Sequence, residues 1–151
     1  MTRAMDPADE RIVQALGRNA RASVAELAEH AGLSPSAASR RLADLERRGV
    51  VRGYRPVLDR AQTGRGFVVY VTVGLADHSK RAQERFERSV AAAAPVRECH
   101  NITGTFEYLL RVEVADLPSY KLFHTDVLGA LPDVKAITSY IVMGSPKDER
   151  A

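Results

Sequence analysis

The side chains with the clearest chemistry stand in residues 34–55, SPSAASRRLADLERRGVVRGYR. Hydroxyl groups at Ser34, Ser36 and Ser39 are interleaved with guanidinium groups at Arg40, Arg41, Arg47, Arg52 and Arg55. Hydroxyls and guanidinium forks donate hydrogen bonds to phosphate oxygens, and Arg also matches the paired acceptors of a guanine edge. Residues 1–60 hold eleven Arg, no Lys and eight acids, whereas residues 61–151 hold eleven bases and eleven acids. The formal net charge of +3 therefore sits entirely in the first part of the chain. A basic stretch of this kind points to a nucleic-acid partner.

Other chemistries are poorly served. Cys99 is the only cysteine, so the chain forms no internal disulfide. Cys99 and His100 are adjacent in an expected strand, where neighbours face opposite ways and do not share a metal. His30, His78 and His124 lack zinc-ligand spacing. Gly64-Arg65-Gly66 lacks the further Gly and the GK[ST] ending of a phosphate loop. No Ser/His/Asp arrangement stands out. No apolar run approaches the roughly 18 residues that span a bilayer, and the start MTRAMDPADER has no signal-peptide core. The expectation is a cytoplasmic protein that is not an enzyme, with no cofactor, no metal and no membrane partner.

The basic side chains need elements to position them. Asp6-Pro7 predicts a cap and first turn for a helix with Ile12, Val13, Ala15 and Leu16 on its apolar side. Ser23 with Glu26 is a capping box for a second helix that buries Val24, Leu27, Ala28 and Ala31. Gly32 suits the left-handed residue of an abrupt turn. Ser34-Pro35 starts a third helix. At about 100° per residue, Ala38, Leu42 and Leu45 share its core face, while Ser36, Arg40 and Arg47 lie opposite and Ser39 and Arg41 flank, with Arg41 expected to hold a phosphate. A recognition helix has this layout, with Ser36 and Arg40 near the bases and the amides beside Ser34 and Pro35 near a phosphate. Val50 to Arg55 reads as a short strand or wing that carries Arg52 and Arg55 to the backbone. Residues 1–55 are thus expected to form a winged helix-turn-helix.

Residues 56–66 connect this to a second module at 67–144. Phe67, Val69, Val71, Val73 and Leu75 alternate as a strand. A helix over 79–94, strands over 96–102 and 108–114, a helix over 117–131 and a strand over 134–143 follow. The order βαββαβ is a ferredoxin-like split, so the fold class is α+β. Residues 145–151 read as a short, charged, mobile tail. Val68 and Tyr70 lie opposite the odd-numbered apolar face of the first strand, which leaves two apolar sheet faces for two short helices to cover. A second copy is the natural cover, so a homodimer is expected at minimum.

The segments LAEHAGLSPSAASRRLADLERRGVVRGYRPVLD, FVVYVTVGL and ITGTFEYLLRV, in that order, resemble the Lrp/AsnC family over nearly the whole chain. The resemblance implies a winged reader of double-stranded DNA joined to an ACT-like domain that senses an amino acid. It implies dimers that pair sheet to sheet and join into octamers. It also implies an effector site at the turn between the second and third strands. Asn101, Ile102, Thr103, Gly104, Thr105, Glu107 and Tyr108 match the family's turn, with Thr138 and Ser139 completing the pocket from a neighbouring subunit. Amides and Thr hydroxyls there suit a carboxylate, and an acid suits an ammonium group. The chain departs from the family pattern at Thr105 and Glu107, where an acid and an Asp are usual. The implied function is a transcriptional regulator responding to an amino acid. The alternatives are an architectural DNA binder without an effector and, from another class, a small α+β enzyme with a helical appendage.

Overall fold

A computed structural model describes residues 4–148 and divides into two compact units after Val57. The first unit holds α1 (Pro7–Arg18), α2 (Val24–Ala31) and α3 (Pro35–Arg47). All three starts are capped as their sequences require. Asp6 accepts from the amides of Ala8 and Asp9, Ser23 and Glu26 form a reciprocal capping box, and the Ser34 hydroxyl accepts from Ala37. Gly32, at φ +66°, turns α2 into α3 in the left-handed conformation that glycine adopts without steric cost. Ile12, Ala15, Leu27, Ala31 and Leu45 are buried together, with Val13, Leu16, Leu42 and Val51 packed on them.

Two expectations for this unit are corrected. Val24 is exposed, because it opens the first turn of α2 just after the cap and points outward. Residues 50–55 form no strand, since no neighbouring strand offers them a ladder. They run beside α3 instead, and the Tyr54 hydroxyl donates to Glu46 at 2.7 Å.

The second unit is a four-stranded antiparallel sheet with helices on one face. The elements are β1 (Phe67–Leu75), α4 (Lys80–Ala92), β2 (Val96–Asn101), β3 (Tyr108–Val114), α5 (Leu117–Leu122) and β4 (Val134–Ile141). The spatial order β2-β3-β1-β4 puts β1 and β3 in the centre. Val69, Val71 and Val73 pair with Val112, Leu110 and Tyr108, and all six are buried. Phe86 and Val90 of α4 and Tyr120 after β3 close over them. The register slips between Gly74 and Leu75, which leaves a bulge at the end of β1.

The helix expected over 117–131 is interrupted. After α5 the chain widens into a π-helical segment, Phe123–Leu128, closed by the Gly129 amide donating to the His124 carbonyl at 2.9 Å. Beyond β4 the Val142 amide donates to Val68, and in the expected tail Asp148 pairs with Arg60 at 3.0 Å. Residues 149–151 of that tail, and residues 1–3, lie outside the described residues.

Phe86 is 1% exposed and stacks on Tyr108 at a ring separation of 4.6 Å. Phe86→Ala should destabilise the second unit by about 3–5 kcal/mol. Leu117→Ala, on a side chain 54% exposed, should stay within about 0.5 kcal/mol. Denaturant midpoints of the two variants measure the contrast.

Candidate nucleic-acid interface and effector turn

Along α3, Ala38 and Leu45 are fully buried, and the opposite face carries Ser36, Ser39, Arg40 and Arg47 in the open. Ser34 and Ser36 lie at the start of the helix with their hydroxyl oxygens 3.2 Å apart, and Pro35 is exposed beside them. The Ser36 amide and the hydroxyls of Ser34 and Ser36 are therefore presented at one helix end, where a phosphate is favoured; Pro35 has no N–H, and the Ala37 and Ala38 amides donate to Ser34. Arg40 makes no ion pair or hydrogen bond among the described residues and is exposed. Arg47 is also exposed, although its guanidinium is paired with Asp44, as is that of Arg48. Arg52 and Arg55 are exposed on the extended segment after α3.

Arg41 is placed differently from the expected phosphate contact. Its Nη1 lies 2.7 Å from an oxygen of Asp6 and 2.7 Å from an oxygen of Asp9, so it ties α3 to the start of α1. The reason is burial: Asp9 is 2% exposed, and a buried carboxylate requires a cation and hydrogen bonds. A signal for this was present in the sequence. Asp9 precedes Ile12, Val13 and Leu16 at helical spacing, which puts an acid on the apolar stripe. The Asp9 amide first, and Arg41 second, hold the Asp6 carboxyl at about 2, below its ordinary 3.8.

The second constellation is the turn between β2 and β3. The Ile102 amide donates to the Glu107 carbonyl at 2.8 Å and closes the turn. Asn101, Thr103, Gly104 and Thr105 are exposed on it. Gly104 has φ +136°, a conformation that strains any L side chain, and open space surrounds it. The turn folds back on the bulged end of β1. The Glu107 amide donates to Val73, and its Oε2 accepts the Leu75 amide at 2.8 Å. Its Oε1 lies 3.2 Å from Nδ1 of the exposed His78. Glu107 thus satisfies a backbone donor at the bulge, a role the sequence does not reveal because the bulge itself is not legible. Phe106 and Ala136 both lie close to Gly74, and no signal in the sequence singles Phe106 out.

Two residues expected at this turn face elsewhere. Tyr108 is 1% exposed on the helix side of β3, where its hydroxyl donates to Glu87 at 2.7 Å. Burial, followed by Glu87, pushes its phenol up to about 12. Ser139 pairs with Val71 on that same side, and its hydroxyl lies 2.5 Å from that of Tyr120. The alternation of strand side chains explains both displacements. Thr138 pairs with Thr72 on the open face of the sheet, the face on which Phe106 meets Gly74.

Cys99 is exposed on β2, and desolvation followed by Glu87 pushes its thiol up to about 11, far from a nucleophilic thiolate. Among the described residues no group of His, Cys, Asp and Glu is arranged to hold a metal ion. None of their helices is long and apolar enough to cross a membrane.

Comparison with known proteins matches residues 68–151 to the Lrp/AsnC ligand binding domain and residues 5–52 to a winged helix-turn-helix DNA-binding family. The chain is 39% identical to the proline dehydrogenase transcriptional activator of Rhodobacter capsulatus, over 95% of this chain and 93% of the relative. It is 32% identical to the leucine-responsive regulatory protein of Escherichia coli, over 95% and 87% of the two chains. The fold superposes on a transcriptional regulator of Neisseria meningitidis in complex with L-Met with a TM-score of 0.92, at 32% identity, covering 96% of this chain and 94% of that one.

Arg40 and Arg41, adjacent in sequence, should separate in experiment. Arg40→Ala should cost on the order of 1–3 kcal/mol in specific DNA binding and relax preference at one base position. Arg41→Met should instead lower the melting temperature of the first unit. Binding titrations on specific and random duplexes, beside thermal unfolding, distinguish the two. The Asp6 carboxyl is depressed in the folded state, so its contribution is complete above 3.8 and is lost as pH falls through about 2. Asp6→Asn should flatten the pH dependence of the melting temperature in that acid window.

Proposed function

The chain belongs to the Lrp/AsnC family of transcriptional regulators, and on that premise we propose that it reads double-stranded DNA with α3 and adjusts that reading to an amino acid or related small metabolite held by its second unit. The observation that carries the reading is the free polar face of α3. Ser36, Ser39 and Arg40 are exposed opposite a stripe whose Ala38 and Leu45 are buried. Ser36 and Arg40 meet base edges. Ser34, Pro35, Arg52 and Arg55 hold the phosphate backbone, and Arg47 joins them at the far end of the helix. One relative is named for its response to leucine, another for activating proline dehydrogenase transcription, and one solved neighbour is a complex with L-Met. Those three amino acids are therefore the first ligands to try.

The effector is placed at the β2–β3 turn, where Thr103, Thr105 and the amides around Gly104 offer donors to a carboxylate. Glu107 presents its carboxylate beside His78 at the floor of the turn. Thr138 approaches from the open face. A second copy covers that face, on which Tyr140 is 53% exposed, and dimers join further into a ring. A two-fold reader then matches a pseudo-palindromic operator. The protein acts in the cytoplasm, where such DNA is found.

Light scattering at micromolar concentration should give a dimer or larger, and a monomeric mass would remove the assembly from the proposal. Neutralising Arg52 or Arg55 should weaken binding to every duplex and flatten the log K versus log salt slope by about one unit. The decisive measurement is a DNA titration with and without L-proline, L-leucine and L-methionine. Gly104→Val, strained at its φ of +136°, should abolish the ligand response and keep basal binding. Glu107→Gln retains an acceptor for the Leu75 amide but loses the charge, and should weaken the response roughly tenfold or more. A response that survives both substitutions would locate the effector elsewhere.

A further inference from the structure

The Glu107 carboxylate, assigned above to the effector's ammonium group, already has two partners. Its Oε2 accepts the Leu75 amide at 2.8 Å, and its Oε1 lies 3.2 Å from Nδ1 of His78. The first partner is backbone at the bulge of β1 and cannot be displaced without opening the strand end. The second stands on the segment between β1 and α4, and its side chain is 72% exposed. Glu107 itself is within reach of solvent, since its side chain keeps 20% of its surface. An ammonium group that approaches Oε1 therefore meets an imidazole already there, and the imidazole is the partner that can yield.

The backbone that carries His78 is fastened, while its exposed ring keeps side-chain rotation. The His78 carbonyl accepts from Nε2 of Gln83 at 3.4 Å, and the Asp77 carboxylate accepts the Ser79 amide at 2.8 Å and the Ser79 hydroxyl at 2.7 Å. Among the described residues, the carboxylates beside the imidazole are Glu107 across the gap and Asp77 next in sequence. The cations at the start of α4 are engaged elsewhere. Arg85 pairs with Asp133 at 2.7 Å, and Lys80 lies 3.8 Å from Glu84.

Resting on the effector site proposed for the β2–β3 turn, we propose that His78 belongs to that site. Its imidazole holds Oε1 of Glu107 while the turn is empty, and the α-ammonium group of an amino acid takes its place. The exchange is linked to protons. A neutral imidazole gives up one ordinary hydrogen bond to the incoming group. An imidazolium gives up a charge-assisted one, and it repels the ammonium as a like charge. The ligand therefore selects neutral His78, and binding to the protonated form expels its proton to solvent. The α-ammonium group and the carboxylates keep their charges near neutrality, so the imidazole alone sets the dependence on pH.

The test is titration calorimetry of the full chain with L-leucine, L-methionine and L-proline, one pH unit above and one below the ordinary imidazole value of about 6.5. Whichever amino acid binds should bind about tenfold more weakly at the lower pH. About half a proton should leave per ligand at the midpoint, read from two buffers of different ionisation enthalpy. His78→Gln keeps a hydrogen-bonding side chain without the charge, and should bind equally at both values and release no proton. His78→Arg fixes a cation beside Glu107 and should bind weakly at both. The side chain is exposed, so neither substitution should disturb the fold, and circular dichroism verifies this. Wild-type affinity that does not change with pH, a pH dependence that persists in His78→Gln, or tight binding by His78→Arg would each overturn the role of His78 and leave the turn as the effector site. No heat with any of the three amino acids at either pH would remove the site and the role of His78 together.

Discussion

The geometry of the reading helix hangs on one charged contact. Arg41 reaches from α3 to two carboxylates at the start of α1, one of them fully withdrawn from water. Apolar contacts among Ile12, Leu27, Ala31 and Leu45 are non-directional and would tolerate some rotation of α3 about its own axis. A guanidinium held by two oxygens tolerates much less. The contact therefore sets which residues of α3 face outward, and Arg40 and Ser36 owe their exposure to their neighbour's engagement. The other carboxylate, Asp6, caps α1, so helix start and helix orientation are determined by one cluster.

In the second unit the corresponding constraint is the central strand. β1 is paired on both sides and buried on its odd-numbered face, which fixes its register against both neighbours. The bulge at Gly74/Leu75 releases that register at one end and exposes an amide. Glu107 takes the amide, so the turn that carries Thr103 to Thr105 is fastened to the most rigid strand of the sheet. The exposed, permissive part of the turn stands on a fixed base. Such a pairing suits the ligand-holding role proposed for this loop.

Most of the architecture was legible because its signals are local. Caps at Asp6, Ser23 and Ser34, the turn at Gly32 and the period-2 run Phe67–Leu75 each rest on residues within one or two turns of chain. The misplacements share a different origin. Arg41 meets residues 32 and 35 positions away, and Glu107 meets an amide 32 positions away. The resemblance implies Tyr108 at the turn and Ser139 in a pocket completed from a neighbouring subunit, while strand alternation sends both side chains to the helix side of the sheet. The π-helical segment after α5 has no local signature comparable to a cap. At the reading helix, periodicity alone was enough to separate buried from exposed positions, since only Arg41 departed from the expected outward set.

The exclusive use of arginine in the first unit has a consequence for control. A guanidinium stays protonated at any pH a cell reaches and is not a substrate for lysine acylation. On the proposed DNA-facing surface, Arg40, Arg47, Arg52 and Arg55 therefore carry a fixed charge, indifferent to acidification and to the metabolic state that sets acyl-donor levels. With no Lys among residues 1–60, chemical erasure of the basic face by that route is closed. In the proposed two-fold assembly, tuning of occupancy is then left to geometry, the distance and angle between two reading helices.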